Sequence, residues 1–120
     1  MEILKTVDVL INCTSLGSKV KTEINGEMMS LEHFSPLTEK EDDKITANAL
    51  KVMKSDAIVF DIIYDPSPTK LLRLAANRGL KTLDGQQMNL EQAVLAFDYA
   101  LPECDLNLVQ KVMLKAKKQF

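Results

Sequence analysis

Two short apolar segments constrain the fold of this 120-residue chain more than any other feature. Residues 7–13 (VDVLINC) and 57–64 (AIVFDIIY) are dense in β-branched residues and apolar on both alternating faces. Such strands are typical of parallel sheets that are covered by helices. Each segment ends in polar, glycine or proline residues, TSLGS after the first and DPSP after the second. The pattern predicts an α/β fold with parallel strands flanked by helices.

A helix is predicted over residues 70–78, between the second strand and a weaker third strand at residues 81–83. Thr69 stands at its N-cap position, and Gly79 follows its last turn, where a left-handed residue ends many helices. A strand, a helix and a returning strand form a βαβ unit. The middle of the chain should therefore be one crossover of a parallel sheet.

The remaining segments are predicted from weaker signals. An apolar stripe indicates a helix over residues 89–101, and Asp105 caps a further helix, so that residues 89–120 form two closing helices. Helical spacing recurs over residues 44–54. Residues 19–46 otherwise resemble a long surface loop or insertion, since glycine, proline and an acidic run interrupt them.

Charge and hydropathy exclude several classes of function. The chain has 15 Lys and Arg against 17 Asp and Glu, a formal charge of −2, so we expect no nucleic-acid partner. The apolar runs are far shorter than the roughly 20 residues of a membrane span, so we expect no membrane partner. Cys13 and Cys104, without an export signal, indicate reduced thiols in the cytoplasm.

Motifs for independent chemistry are missing from the sequence. It contains neither a G-x-G-x-x-G nor a Walker-type phosphate loop. Its one histidine, His33, and its two cysteines lack metal-ligand spacing, so we predict no metal site. Ser15 would have only His33 as a base, and no argument brings the two together. We predict no catalytic residue in this chain.

Five residues are expected to share one edge of the sheet. In open parallel sheets, ligands bind outside the carboxyl ends of the strands, where the loops converge. Thr14, Ser15 and Gly17 follow the first strand, Tyr64 ends the second, and Gly85 follows the third. The start of the helix predicted from Asn89 is expected at the same edge. This edge is the predicted functional surface.

Three ordered sequence blocks resemble one known family. They are residues 11–17 (INCTSLG), residues 59–72 (VFDIIYDPSPTKLL) and residues 84–93 (DGQQMNLEQA). In this order they resemble the C-terminal part of the NADP-binding domain of the shikimate dehydrogenase family. The resemblance implies the second mononucleotide half of a Rossmann fold over residues 1–120, with NADP as the cofactor at a partial site and a small shikimate-like substrate in the parent enzyme.

The resemblance also implies roles for individual residues. Residues matched to cofactor contacts are Asn12, Thr14, Ser15, Gly17, Ile62, Gly85 and Met88. Tyr64 and Gln92 match substrate contacts. Ser18 and Gln87 depart from the family pattern, which usually has Met and Gly there. The family's catalytic Lys and Asp belong to a domain that this sequence does not contain, so we expect the chain alone to be catalytically incomplete.

Each of these residues also has a purely structural explanation. Thr14 and Ser15 can hydrogen-bond their own backbone at a turn, and Tyr64 can be a half-buried packing residue. Gly85 can serve a turn that needs a positive φ. Gln92 can complete a capping box that begins at Asn89. The structural and the functional explanations both stay open from the sequence alone.

Two hypotheses of different classes result. In the first, the chain is the cofactor-binding segment of a shikimate dehydrogenase-like oxidoreductase. In the second, it is a standalone module that binds a nucleotide or self-assembles through an exposed sheet edge, as a homo-oligomer. The second hypothesis arises because the first strand has no predicted neighbour on its outer side. Asp61 adds a further expectation, since its charge needs a partner if it is buried.

Overall fold

The computed structural model describes residues 2–24, 27–32, 37 and 43–117. The chain divides into two compact units, Met1–Gly85 and Gln86–Phe120. A 3₁₀ turn at Glu2–Lys5 precedes the first strand. The strands are β1 (Val9–Asn12), β2 (Lys19–Ile24), β3 (Glu27–Glu32), β4 (Ile58–Asp61) and β5 (Lys81–Leu83), and the helices are α1 (Asp43–Lys51), α2 (Lys70–Asn77), α3 (Gly85–Ala100) and α4 (Leu106–Lys117).

A three-stranded parallel sheet organises the first unit. Its strand order is β1-β4-β5, with Val9 paired to Ile58 and Ile58 paired to Lys81. The predicted α/β fold with parallel strands is confirmed. β4 lies at the centre, so its strand end has a neighbouring strand end on each side. The carboxyl ends of three strands therefore meet at one edge, as predicted.

The core of the first unit contains residues of α1, α2 and β4. Val59 of β4 and Leu50 of α1 are fully buried, and Leu71 of α2 is 2% exposed. The outer strand β1 differs from the prediction of burial on both faces. Its Val9 and Ile11 side chains are 46% and 50% exposed. The exposed residues alternate with the more buried Leu10 and Asn12, so one face of β1 lacks the cover that the prediction assumed.

Helix α2 forms where its local signals predict it. The Thr69 side chain accepts a hydrogen bond from the Leu72 N–H at 3.3 Å, as an N-cap does. Gly79 follows the helix with a φ of +84°. Because α2 connects β4 to the parallel strand β5, the predicted βαβ unit is confirmed.

Two strands form where the sequence predicts a loop, at residues 19–24 and 27–32. β2 and β3 form an antiparallel pair, with Lys19 opposite Glu32 and Ile24 opposite Glu27. The prediction of a loop is wrong for these two strands. α1 begins at Asp43 and ends at Lys51, against the predicted residues 44–54. The predictions for His33 and for the rest of the acidic run concern residues outside those that the structure describes.

The second unit consists of helical residues and their caps. α3 starts at Gly85, four residues before the predicted start at Asn89. The Asp105 carboxylate caps α4 as predicted, since it accepts the N–H groups of Asn107 at 2.9 Å and Leu108 at 3.3 Å. None of the described helices combines the length and hydrophobicity that crossing a membrane requires.

Candidate functional site

A cleft opens at the carboxyl ends of β1 and β4, in the first unit. Its volume is about 500 Å³. The residues that line it all follow one of these two strands: Cys13, Thr14, Ser15, Ser18, Ile62, Ile63, Tyr64 and Asp65. This is the position at which open parallel sheets bind ligands. The cleft is therefore the candidate site.

The loop after β1 is shaped by the Asn12 side chain. Asn12 Oδ1 accepts hydrogen bonds from the Thr14 N–H at 3.0 Å and from the Thr14 hydroxyl at 2.7 Å. Asn12 Nδ2 donates to the Leu16 carbonyl at 2.8 Å. Gly17 closes the loop with a φ of +108°, a conformation that other residues rarely adopt. The side chain thus holds a compact turn after the strand.

Asp61, the last residue of β4, is fully buried beneath the cleft. Its Oδ1 accepts from Asn12 Nδ2 at 3.0 Å and from the Ile63 N–H at 3.1 Å. Its Oδ2 accepts from the Thr69 hydroxyl at 2.7 Å. The expectation that a buried Asp61 needs partners is confirmed, and among the described residues these partners are neutral donors.

Gly85 meets the end of β4 through its backbone. The Gly85 N–H donates to the Ile63 carbonyl at 3.2 Å. A Cβ atom on Gly85 would overlap the carbonyl group of Ile62. Gly17 and Gly79 are the described glycines with a positive φ, so the structural explanation of Gly85 by a positive φ is wrong. Glycine is needed at position 85 because two backbone segments approach closely.

The cleft brings together four of the nine predicted site residues. Thr14, Ser15, Ile62 and Tyr64 line it, and the Tyr64 side chain is 55% exposed. Gly17 and Gly85 lie next to the cleft, because both approach Ile63, which lines it. A Cβ on Gly17 would lie 3.3 Å from Ile63 Cδ1, and the Gly85 N–H donates to the Ile63 carbonyl.

Three predicted residues do not line the cleft. Asn12 is 3% exposed, and its amide atoms are engaged within the protein. Met88 and Gln92 belong to the second unit, where Met88 is 39% exposed and Gln92 Nε2 donates to Asn89 Oδ1 at 3.2 Å. Asn89 lies inside α3, so the capping box predicted for Gln92 is wrong.

Three polar side chains to which the sequence assigned no individual role also line the cleft. They are Cys13, Ser18 and Asp65, of which Ser18 and Asp65 belong to the polar segments that end the two predicted strands. Their position directly after the predicted strands was the available signal. The signal for Asp61 was a charged residue inside an otherwise apolar strand, which indicates a buried polar network.

The cleft offers hydroxyl groups for ligand binding. Within the part of the chain that the structure describes, the Ser15 and Tyr64 hydroxyls form no hydrogen bond with the protein. Ile62, which is half-buried, adds an apolar surface beside them. No group of three or more His, Cys, Asp or Glu residues among those described could hold a metal ion. The arrangement suits a flat, partly apolar ligand with hydroxyl or amide groups.

The parallel sheet and its cleft define an α/β domain of the Rossmann type, and comparisons with known proteins agree. A quinate dehydrogenase from Corynebacterium glutamicum, solved in complex with NAD, superimposes with a TM-score of 0.59 and 25% sequence identity. The superposition covers 95% of this chain and 33% of the quinate dehydrogenase. The superposition therefore confirms the predicted fold class, in addition to the strand order of the sheet.

Sequence comparison finds similar proteins of one kind. The shikimate dehydrogenase (NADP(+)) of Alkaliphilus oremlandii is 39% identical over 95 residues, which are 79% of this chain and 26% of that protein. The shikimate dehydrogenase (NADP(+)) of Methanosarcina mazei is 34% identical over 116 residues, which are 96% of this chain and 34% of that protein. No family model matches the chain.

The predicted resemblance is confirmed: this chain is a homologue of shikimate dehydrogenases. It spans about a quarter to a third of the length of these relatives. The activities in their names are those of whole proteins, of which this chain matches only a part.

Proposed function

We propose that this chain is the nicotinamide-side half of the cofactor domain of a shikimate dehydrogenase-like oxidoreductase. In the whole enzyme, NADP would exchange a hydride with a shikimate-like cyclic hydroxy acid. The observation that carries the proposal is the cleft itself. It brings together Thr14, Ser15, Ile62 and Tyr64, which stand in two separate motif blocks, at the carboxyl ends of two parallel strands.

The geometry supports distinct roles for these residues. The exposed Ser15 hydroxyl is free to bond a ribose hydroxyl or the carboxamide, while Thr14 and Gly17 shape the turn beneath it. Ile62 offers the apolar surface that would lie against the nicotinamide ring. The free Tyr64 hydroxyl would reach the substrate.

The remaining assignments follow from the family resemblance. Gly85 would let the backbone approach the nicotinamide carboxamide, and its hydrogen bond to Ile63, which lines the cleft, supports this role. Met88 would contact the cofactor and Gln92 the substrate. Both are half-exposed or exposed on α3 and are therefore available for contacts.

The cofactor and the completeness of the site belong to the same proposal. The named relatives are NADP-dependent, whereas the structural neighbour was solved with NAD. We favour NADP because of the sequence relatives. The chain alone would bind the cofactor weakly and would not turn over shikimate, since it spans only about a quarter to a third of the length of its relatives.

A binding experiment with the two halves of the cofactor tests the proposal. Nicotinamide mononucleotide should shift the ¹⁵N–¹H resonances of the cleft residues, and adenosine 2′,5′-bisphosphate should shift none of them. Ser15→Ala should weaken the first interaction, and Ser55→Ala, a substitution at an exposed residue outside the cleft, should leave it unchanged. Binding of the adenosine half alone would contradict the assignment of the nicotinamide side.

A second candidate function has one observation in its favour. β1 lies at the edge of the sheet with Val9 and Ile11 about half exposed, so its outer side can pair with another strand. The chain would then self-associate as a homo-oligomer. Sedimentation velocity distinguishes this function, because a single monomeric species at high concentration would exclude edge pairing.

A further inference from the structure

Asp61 is a buried carboxylate to which the proposed function assigns no task. It is 0% exposed, and among the described residues no lysine or arginine forms an ion pair with it. Burial of a charged group without a cation is costly unless hydrogen bonds compensate for the lost water. A hydrophobic residue at this position would form the sheet without that cost, so the carboxylate calls for a role other than packing.

Its three hydrogen bonds reach the segments that build the cleft. The bond to Asn12 Nδ2 reaches the turn after β1, because the same amide group donates to the Leu16 carbonyl. The bond from the Ile63 N–H fixes the segment after β4. The bond from the Thr69 hydroxyl reaches the N-cap of α2.

The third strand end is connected through Ile63. The Ile63 N–H donates to Asp61, and the Ile63 carbonyl accepts the Gly85 N–H at 3.2 Å. The Ile63 side chain also fills the space beside Gly17. One carboxylate thus connects the ends of β1, β4 and β5, directly or through one residue.

We propose that Asp61 is the positioning residue of the cleft, which holds the loops after β1 and β4 in one fixed relation so that Ser15, Ile62 and Tyr64 meet the same ligand. The proposal rests on the proposed function for the identity of that ligand. It also gives Asn12 a task other than cofactor contact, since its amide transmits the constraint to the turn that carries Thr14 and Ser15.

Three substitutions separate positioning from general stability. Asp61→Ala removes every bond of the carboxylate. Asp61→Asn retains an oxygen for Asn12 and Ile63 and places an amide nitrogen where it can donate to the Thr69 hydroxyl, whose oxygen has a second lone pair. Val59→Ala truncates a fully buried neighbour in β4 that makes no polar contact with the cleft, so it serves as the matched control for lost stability.

The first measurement needs no ligand. In ¹⁵N–¹H spectra, Asp61→Ala should shift the Thr14 and Gly85 amide resonances, which lie on strand ends remote in sequence, and Asp61→Asn should restore them. Val59→Ala should leave both resonances near their original positions. Equal shifts in the alanine variants at positions 59 and 61 would overturn the positioning role. If Asp61→Ala does not fold, Asn12→Ala removes one donor to the same carboxylate oxygen and must shift the amide of Ile63, which donates to that oxygen.

The second measurement uses NADP⁺ as the probe. Asp61→Ala should raise the dissociation constant about tenfold or more, Asp61→Asn should stay within about threefold, and Val59→Ala within about twofold. A dissociation constant for Asp61→Ala no higher than that for Val59→Ala would overturn the proposal. If the unsubstituted chain binds no NADP⁺, the proposed function fails, and the ligand-free spectra still decide the role of Asp61.

Discussion

The two units of this chain bury their apolar side chains to very different extents. The first unit has a contiguous core in which Leu50 and Val59 are fully buried. In the second unit, Val94 is the one described apolar side chain that is buried, whereas Tyr99 and Leu108 are 87% and 58% exposed. Apolar burial is the dominant favourable term in folding. The first unit therefore contains the stabilising core, and substitutions in the two units should differ accordingly.

The same contrast extends to polar groups. Asp61 and Asn12 are buried in the first unit with their hydrogen-bonding atoms engaged. The side-chain hydrogen bonds of the second unit, such as that of Gln92 with Asn89, are exposed. A buried network fixes geometry more firmly than exposed bonds do, because water cannot replace its partners. The candidate site accordingly lies on the firmer of the two units.

The largest effect should come from the core of the first unit. Leu50→Ala should lower the free energy of unfolding by about 3 kcal/mol, because it removes a fully buried side chain and leaves a cavity. Urea denaturation followed by circular dichroism measures it. A loss below about 1 kcal/mol would mean that this core does not carry the stability of the unit.

Gly85→Ala should have the next largest effect. Its Cβ would overlap the Ile62 carbonyl group, and the backbone shift should cost about 2 kcal/mol. Gly79→Ala is the matched control, because its Cβ would meet nothing within 4 Å, although its φ of +84° is strained for alanine. The control should lose only about 1 kcal/mol. Equal losses in urea denaturation would argue against close approach at Gly85.

Loss of the α2 cap should have an intermediate effect. Thr69→Ala removes the acceptor for the Leu72 N–H and the donor to Asp61, and should cost about 1.5 kcal/mol. Thr69→Ser keeps the hydroxyl and should restore most of the loss. Thermal unfolding of both variants provides the comparison. An alanine variant as stable as the serine variant would show that the Thr69 hydroxyl does not contribute to the stability of the network.

An exposed leucine of the second unit should have little effect. Leu108→Ala truncates the same residue type as Leu50→Ala, but at a side chain that is 58% exposed, so the change should stay within about 0.5 kcal/mol. Urea denaturation of both leucine variants measures the two changes in the free energy of unfolding. A loss as large as that of Leu50→Ala would erase the contrast between the units.

The smallest effect should come from a surface ion pair of the first unit. Asp8 accepts a hydrogen bond from Lys54 at 2.6 Å and thereby raises the pKa of Lys54 above its ordinary value of 10.5. A group whose pKa is raised by folding stabilises the folded state at pH values below its ordinary pKa. This contribution is lost as the pH rises through the pKa of the folded state. Asp8→Asn should remove most of this small pH dependence of thermal unfolding, because the remaining charge that raises the pKa, Asp56, has a smaller effect. If the pH dependence persists in the variant, another titratable group causes it.

Local signals in the sequence predicted some elements fully and failed where tertiary contacts decide. α2 was predictable because Thr69 and Gly79 bracket it and its apolar stripe is regular. The start of α3 was not, because Gly85 begins the helix while its N–H bonds the distant Ile63 carbonyl. A local capping pattern at Asn89 indicated a start four residues too late.

The β2-β3 hairpin was predictable in principle. The sequence KVKTEI has β-branched residues at alternate positions, and Asn25-Gly26 is a dipeptide typical of hairpin turns. The glycine, the proline and the acidic run of this region indicate a loop instead, which is why the strands were not predicted. In the site, residue order alone predicted that Thr14 and Tyr64 share one edge, but it could not show that Asp61 and Asn12 are bonded beneath them, because their pairing spans 49 residues.

The most direct test of the central claim is a nuclear Overhauser measurement between NADP⁺ and the chain labelled at its isoleucine methyl groups. We predict contacts between the nicotinamide ring protons and the Ile62 methyls, together with amide shifts at Ser15 and Tyr64. Contacts from the ring only to residues outside the cleft, such as those of β2 and β3, would contradict the account.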